Sequence, residues 1–297
     1  MHITILAHGS RGDVQPYVAL ALGFQRAGHT VCLAAPQLFE SFIADHGLTF
    51  APLAGDPPRL AQALADRAGW NPLRTGYVIA EYTLPLARQV IADVRAACQD
   101  AEVIIHSFLT TIAGHQVARE LNLPDFSALI FPVFAPTGAF PCPPLPAWPL
   151  GRLYNRLTHH FFTQSFWQAS RLAYNLVLRR QDPHLPPLAG WPWGASKKEQ
   201  PPILYGISPH VIPHPTDWGH HQGIHLTGYW FVDTASNWQP LPDLVDFLAA
   251  GAPPVYLGFG SMITKDASRL VEVALEALAQ ADCRGVLLAG WGELGSA

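Results

Sequence analysis

Charge is scarce in this chain of 297 residues: Asp, Glu, Lys and Arg make up 13%, against about 25% in ordinary soluble domains. With 49% hydrophobic and 11% aromatic residues, that scarcity excludes intrinsic disorder, which needs a charge-rich, aromatic-poor chain. The 18 basic and 22 acidic residues leave a net charge of −4, which removes any global electrostatic attraction to nucleic acid. Cys32, Cys98, Cys142 and Cys283 lie far apart with no CxxC spacing, so neither a disulfide framework nor a zinc site is expected. No window approaches 18 uninterrupted apolar residues, and residues 1–7 have no basic flank or cleavage site. The expectation is therefore a cytoplasmic protein without a spanning helix.

What is present alternates between two periods. Ile3 to Ala7 reads as a buried strand, followed by a glycine-containing loop and a helix from Val14 to Ala27 with Pro16 in its first turn. Strands at Thr30–Ala35, Thr49–Leu53, Val103–Ser107 and Asp125–Phe131 follow. Between them lie helices at Pro36–His46, over 59–99 with breaks near Asn71-Pro72 and Pro85, and at Thr111–Leu121. Repeated βα units predict an α/β fold, a Rossmann-like parallel sheet with helices on both faces.

From Pro132 to Pro149 seven prolines alternate with Phe134, Phe140 and Trp148, and no regular element can run through them. A helical stretch to about Arg180, a second proline-rich segment (Pro183–Pro202) and a strand at Ile203–Gly206 follow. The expected organisation is an N-terminal domain over 1–232, a linker over 233–253, and one βαβ unit over 254–297. A lone βαβ of 44 residues cannot cover both faces of its sheet. The second domain is therefore expected to be cut off.

The first loop, Gly9-Ser10-Arg11-Gly12-Asp13, offers backbone N–H groups and a positive helix end, a combination that suits an anion. It is not GxGxxG, and the end of the second strand holds Ala34-Ala35-Pro36 where a dinucleotide fold needs an acid. That argues against NAD. A tight turn with no ligand stays open at this point. So does Asp13 as a general base, since it sits at the carboxyl end of the first strand.

The run Gly9-Ser10-Arg11-Gly12-Asp13-Val14-Gln15-Pro16-Tyr17, followed by Ala27-Gly28-His29, resembles the opening of UDP-dependent glycosyltransferases. The nearest branch is that of sterol glucosyltransferases and glycopeptide-antibiotic glycosyltransferases. The segments at 50–56, 136–141, 227–230 (Thr-Gly-Tyr-Trp) and 255–262 (Val-Tyr-Leu-Gly-Phe-Gly-Ser-Met) are similar to that branch in the same order. The resemblance implies a glycosyltransferase B-type fold: an acceptor-binding N-terminal domain facing a nucleotide-sugar-binding C-terminal domain. It implies an inverting, metal-independent transfer of a hexose from a UDP-sugar to a hydroxyl of a sterol, lipid or polycyclic product. Asp13 would be the base. Gly9, Ser10, Arg11, Gly12, Gly260 and Ser261 would meet the donor. No cofactor is implied beyond the UDP-sugar co-substrate. The family's donor signature is absent from the chain, which on this reading binds donor poorly.

On the acceptor side, His106, Phe131, Phe134, Thr137 and Phe140 are the expected contacts. Residues 151–181 carry five arginines, six aromatics and no acid. Such a helix either packs on the core or lies at a membrane surface, which would make the protein peripheral to the inner face. The adjacent pairs His159-His160 and His220-His221 diverge in direction and are assigned no metal. The competing reading is a non-catalytic apolar-ligand-binding module, or an inactive fragment lacking the donor site.

Overall fold

The computed structural model describes residues 1–69, 71–181, 187–188, 201–219, 223–233, 239–263, 266–288 and 290–292. The chain divides into two compact units, Met1–Gly55 with Leu84–Val232, and Asp56–Thr83 with Asp233–Ala297.

The first unit is built on a parallel seven-stranded sheet. Its strands are β1 (His2–Leu6), β2 (Thr30–Pro36), β3 (Thr49–Leu53), β4 (Val103–His106), β5 (Asp125–Leu129), β6 (Ile203–Tyr205) and β7 (Ile224–Leu226), ordered 3-2-1-4-5-6-7. The pairing is in register from His2 opposite Thr30 and from Ile3 opposite Val103. Strand alternation decides which side chain meets which helix layer. Ile3, Ile5, Val31, Leu33 and Ile105 pack under α1 (Arg11–Arg26) with Val14, Tyr17, Val18 and Ala21. Leu6, Ala34 and Ile104 face the opposite layer, where Val94 of α4 (Pro72–Ala97) and Val117 and Ala118 of α5 (Thr111–Leu121) meet them. The expected Rossmann-like sheet, covered on both faces, is what is found.

Several boundaries differ for identifiable reasons. Helix α1 begins at Arg11 rather than Val14, because Ser10 caps it and Asp13 occupies the third helical position. Pro16 therefore lies beyond the first turn. The helix expected over Pro36–His46 reduces to a 3₁₀ turn, Gln37–Phe39, and a short α2, Glu40–Ala44. Strand β5 stops at Leu129, two residues early. The break at Asn71-Pro72 exists: α3 (Pro57–Arg67) ends before it, and Asn71 Oδ1 accepts the Leu73 and Arg74 amides at 3.0 and 3.2 Å. The break at Pro85 does not, since α4 runs through it. Glu81, whose carbonyl loses its helical partner there, is exposed to water. Helix α6 (Gly151–Ala173) passes into a π-helical turn, Tyr174–Leu178, and a last turn, α7 (Arg179–Gln181). Strand β7 was not anticipated.

In the second unit α8 (Pro242–Ala249) lies inside the expected linker. Strands β8 (Val255–Gly258) and β9 (Gly285–Leu288) pair in parallel across α9 (Ala267–Gln280). The helix buries Val271, Ala274 and Leu278, spaced three and four apart. Most of the second proline-rich segment, Pro183–Pro202, and the pair His220-His221 lie outside the described residues.

Candidate active site

The sheet reverses its winding between β1 and β4. Ligands of open α/β sheets bind in the crevice at the carboxyl ends of the strands that flank such a point. The loops after β1 and β4 meet there. The Leu6 carbonyl accepts the Ser107 N–H and the Thr110 hydroxyl, both at 2.9 Å.

In the first loop, the Ser10 N–H and hydroxyl donate to the same oxygen, Asp13 Oδ2, at 2.7 and 2.8 Å. Asp13 and Val14 return their N–H groups to the Ser10 carbonyl at 2.9 and 3.1 Å. No donor among the described residues is placed on Asp13 Oδ1. Gly9 adopts φ 129°, and a Cβ there would stand 2.5 Å from Asp13 Oδ2. Only glycine allows the carboxylate to fold back over the loop.

His8 ties this loop to the end of β3. Its Nε2 lies 3.2 Å from the Ala54 carbonyl, so Nε2 carries the proton and donates. Burial lowers its pKa, while the Ala54 carbonyl and the Asp13 charge pull less strongly the other way. His8 is held as a neutral imidazole. Gly55, at φ 134°, gives it room; any side chain there would collide with the ring. Arg11 turns aside: its Nε donates to Gln15 at 2.9 Å and its guanidinium lies 4.8 Å from the Phe42 ring centre. Gly12 is exposed in the first turn of α1.

The expected acceptor residues separate into three places. Phe131 and Phe134 join Phe108 from the β4 loop, at ring separations of 5.2 and 5.6 Å, and Phe166 of α6 lies 4.9 Å from Phe108. Phe162 stacks at 6.1 Å on the same ring. Five phenylalanines from three segments thus cluster beside the carboxyl ends of β4 and β5. Phe140 packs into the same apolar cluster but meets His159 and Trp218 instead of the Phe108 ring. The Thr137 hydroxyl donates to Asp217 at 2.6 Å, and the Gly138 amide and Arg156 guanidinium bind the same carboxylate at 2.8 and 3.0 Å. That network pins the proline-rich loop to α6. His106 is a correction. It is fully buried beneath Gly114, with Nε2 3.0 Å from Asp125 Oδ2, an oxygen that also meets His115 Nδ1 at 2.9 Å. It is a structural residue of the sheet, closed to any acceptor.

In the second unit Gly260, at φ 58°, and Ser261 form the turn after β8. The Trp291 N–H donates to the Gly260 carbonyl at 3.0 Å, which joins the turns after β8 and β9.

Residues 3–137, the segment that contains β1 to β5 and the Asp13 loop, match the glycosyltransferase family 28 N-terminal domain. That match takes in 135 of the 297 residues, and over it the chain is similar to that domain. It is 34% identical over 304 residues to a sterol 3-beta-glucosyltransferase of Aspergillus oryzae, and 33% over 302 to one of Neurospora crassa. Those alignments cover 99% of this chain but 21% and 19% of the relatives, so the chain spans about a fifth of their length. Solved structures share the fold. The glycosyltransferase of kitacinnamycin superposes with a TM-score of 0.58 at 15% identity, covering 96% of this chain and 64% of that one. The calicheamicin glycosyltransferase does so at 0.55 and 14%, with the same coverage.

In the sheet unit, the sequence did not single out Phe108 or Asp217, and it offered Phe162 and Phe166 only among the aromatics of residues 151–181. Phe162 and Phe166 carried a signal, an i, i+4 pair on one helix face, left open between packing on the core and lying at a membrane surface; the pair packs inward. Phe108 and Asp217 act only through contacts with residues distant in the chain, and no local pattern marks them.

Proposed function

We propose that this chain supplies the acceptor-binding side of an inverting glycosyltransferase, which moves a hexose from a UDP-sugar to a hydroxyl of a lipophilic acceptor such as a sterol. The observation that carries the reading is Asp13. Its Oδ2 is fixed by two donors from Ser10, its Oδ1 is left for substrate, and it stands at the switch point of the sheet. The phenylalanine cluster on the neighbouring strands supplies a wall that an apolar polycycle can lie against.

Asp13 takes the proton of the acceptor hydroxyl as its oxygen bonds to the anomeric carbon. The bond from that carbon to the diphosphate breaks on the opposite side, and UDP departs with the electron pair. Attack from the face opposite the leaving group inverts the centre. Gly9, Ser10 and Gly12 line the approach to the first turn of α1, where exposed amides favour a negatively charged group. Gly260 and Ser261 are the donor-side counterparts in the second unit. The relatives support a glucosyl donor and a sterol acceptor through their names, and a related solved structure, VinC, holds dTDP.

Two measurements test the reading. Fluorescence titration of the 297-residue chain with a sterol should show saturable binding, competed by a second sterol and not by NADH. Incubating the full-length protein with UDP-glucose and a sterol should give a steryl glucoside of inverted anomeric configuration. A retained configuration, or sterol binding no stronger than to an unrelated protein, contradicts it.

A further inference from the structure

Three non-glycine residues among those described have φ in the left-handed region. Asn122 and Asp282 stand at the carboxyl ends of α5 and α9, where short polar side chains adopt it readily. Phe134, at φ 70°, has no such local reason. A side chain of its size is an outlier there and persists only where its surroundings over-determine the backbone. They do so from both sides. The Tyr205 hydroxyl of β6 donates to the Val133 carbonyl, and Trp218 Nε1 donates to the Ala135 carbonyl at 3.3 Å. Beyond Ala135, Asp217 accepts the Thr137 hydroxyl and the Gly138 N–H at 2.6 and 2.8 Å. Tyr205 and Trp218 stack at a ring separation of 5.2 Å and are 0% and 1% exposed, so neither yields without opening the core.

The side chain so held is itself buried, at 3% exposed. Its ring lies 5.6 Å from Phe108 and 5.4 Å from Phe166, and those two are 4.9 Å from each other. Phe108 and Phe166 are only partly buried, so they present apolar surface while Phe134 stands behind them. Its ring is tilted against theirs by 31° and 46°, and through such contacts one aromatic ring constrains the orientation of its neighbours. We propose that Asp217 and Trp218 lock the backbone at Phe134, and that Phe134, as a positioning residue, holds Phe108 and Phe166 as a preformed wall for a flat acceptor. This rests on the reading of the phenylalanine cluster as the acceptor side. Without the Phe134 ring, the two outer rings turn into the space it leaves. They must then be reordered when a sterol binds, which weakens binding. Asp217 acts at one remove, because its partners in the loop are Thr137 and Gly138 and not the phenylalanines.

The test is steady-state glucose transfer from UDP-glucose to a sterol by the full-length protein, comparing Phe134→Gly, Asp217→Asn and the double variant with the parent. Glycine accepts a positive φ without strain and removes the side chain. Asparagine keeps the shape of the carboxylate but gives up one acceptor and the charge. Phe134→Gly should raise KM for sterol about tenfold, as two side chains lose their prior ordering. Asp217→Asn should raise it about threefold. In both, kcat and KM for UDP-glucose should stay within about twofold of the parent. Because Asp217 acts through Phe134, the double variant should be no worse than Phe134→Gly alone. A merely structural role gives another pattern: a smaller folded fraction lowers kcat, leaves KM where it was, and the two changes add. If Phe134→Gly does not fold, Asp217→Asn and Trp218→Phe, which keeps the stack on Tyr205 but loses the Nε1–H donor, decide the matter on the same KM. An unchanged KM for sterol in the folded variants, or additive effects in the double variant, would overturn the proposal. A parent that transfers no glucose to sterol overturns the acceptor reading and this inference with it. A parent that does so, beside variants with its own KM, overturns the inference alone.

Discussion

Ser10 gives both its backbone N–H and its hydroxyl to one oxygen of Asp13, at 2.7 and 2.8 Å, leaving the other oxygen of that carboxylate without a donor among the described residues. The same contacts start helix α1 and orient the carboxylate proposed as the base. Stability and activity should therefore respond together at Ser10. Ser10→Ala removes one of the two donors and should cost about 1 kcal/mol, a fall in Tm of about 2–4 °C. In the full-length protein kcat should fall while KM for acceptor changes little, which thermal melts and steady-state kinetics would show.

Gly9 offers a sharper version of the same relationship. Gly9→Ala combines a disfavoured φ of 129° with a Cβ 2.5 Å from Asp13 Oδ2, so the carboxylate must move. Gly28, at φ 84°, has open space around its Cβ position. Gly28→Ala should cost only the backbone strain, about 1–2 kcal/mol, with activity intact. Gly9→Ala should cost that much or more and abolish transfer. Equal activity of the two variants would show that Asp13 need not sit where it does.

Asp125 links stability to pH. Burial alone would raise its pKa, but hydrogen bonds from His106 and His115 outweigh burial and hold it well below the usual carboxylate range. A depressed folded-state value means that its contribution is complete above the unfolded value, near 4, and is lost as pH falls below that. Urea titrations from pH 6 to pH 3 should show a steep loss in the parent chain. Asp125→Asn should be less stable at pH 6 and flatter over the same range, because its side chain carries no charge to titrate. A parallel pH dependence in the two proteins would contradict this.

The phenylalanine cluster predicts a difference between neighbours. Phe108 touches Phe131, Phe134, Phe162 and Phe166, whereas Leu109 is exposed. Phe108→Ala should weaken sterol binding about tenfold and destabilise by about 2–3 kcal/mol. Leu109→Ala should change neither by more than about 0.5 kcal/mol. Equilibrium titration and denaturation of the two variants decide it.

The parallel sheet was legible in the sequence because its central strands are continuous apolar runs between helices of clear period. Pro85 misled because a proline argues for a break only where the orphaned carbonyl cannot reach water, and solvent exposure is not written in a local pattern. Strands β6 and β7, three residues each, are too short to show alternation. Asp13 was legible as an acid in the loop at the end of the first strand, with its proposed role coming from the family resemblance, whereas its place as the third residue of a capped helix emerges only from the structure. His106 was not legible, since the half-buried Asp125 that fixes it comes 19 positions later and joins it only through the β4–β5 pairing. Thr137 and Phe140 were legible as members of a proline-rich segment, but their bond to Asp217 and packing on Trp218 cross about 80 residues.

The most direct test of Asp13 as the base is Asp13→Asn in the full-length protein, assayed for glucose transfer from UDP-glucose to a sterol. The amide keeps an oxygen for the two Ser10 donors but cannot take up the acceptor's proton, so the protein should fold, melt within a few degrees of the parent and bind sterol normally. Its kcat should drop by at least about 10²-fold, the low end of what a positioned general base contributes. Turnover near that of the parent, with normal folding and sterol binding, would contradict the account.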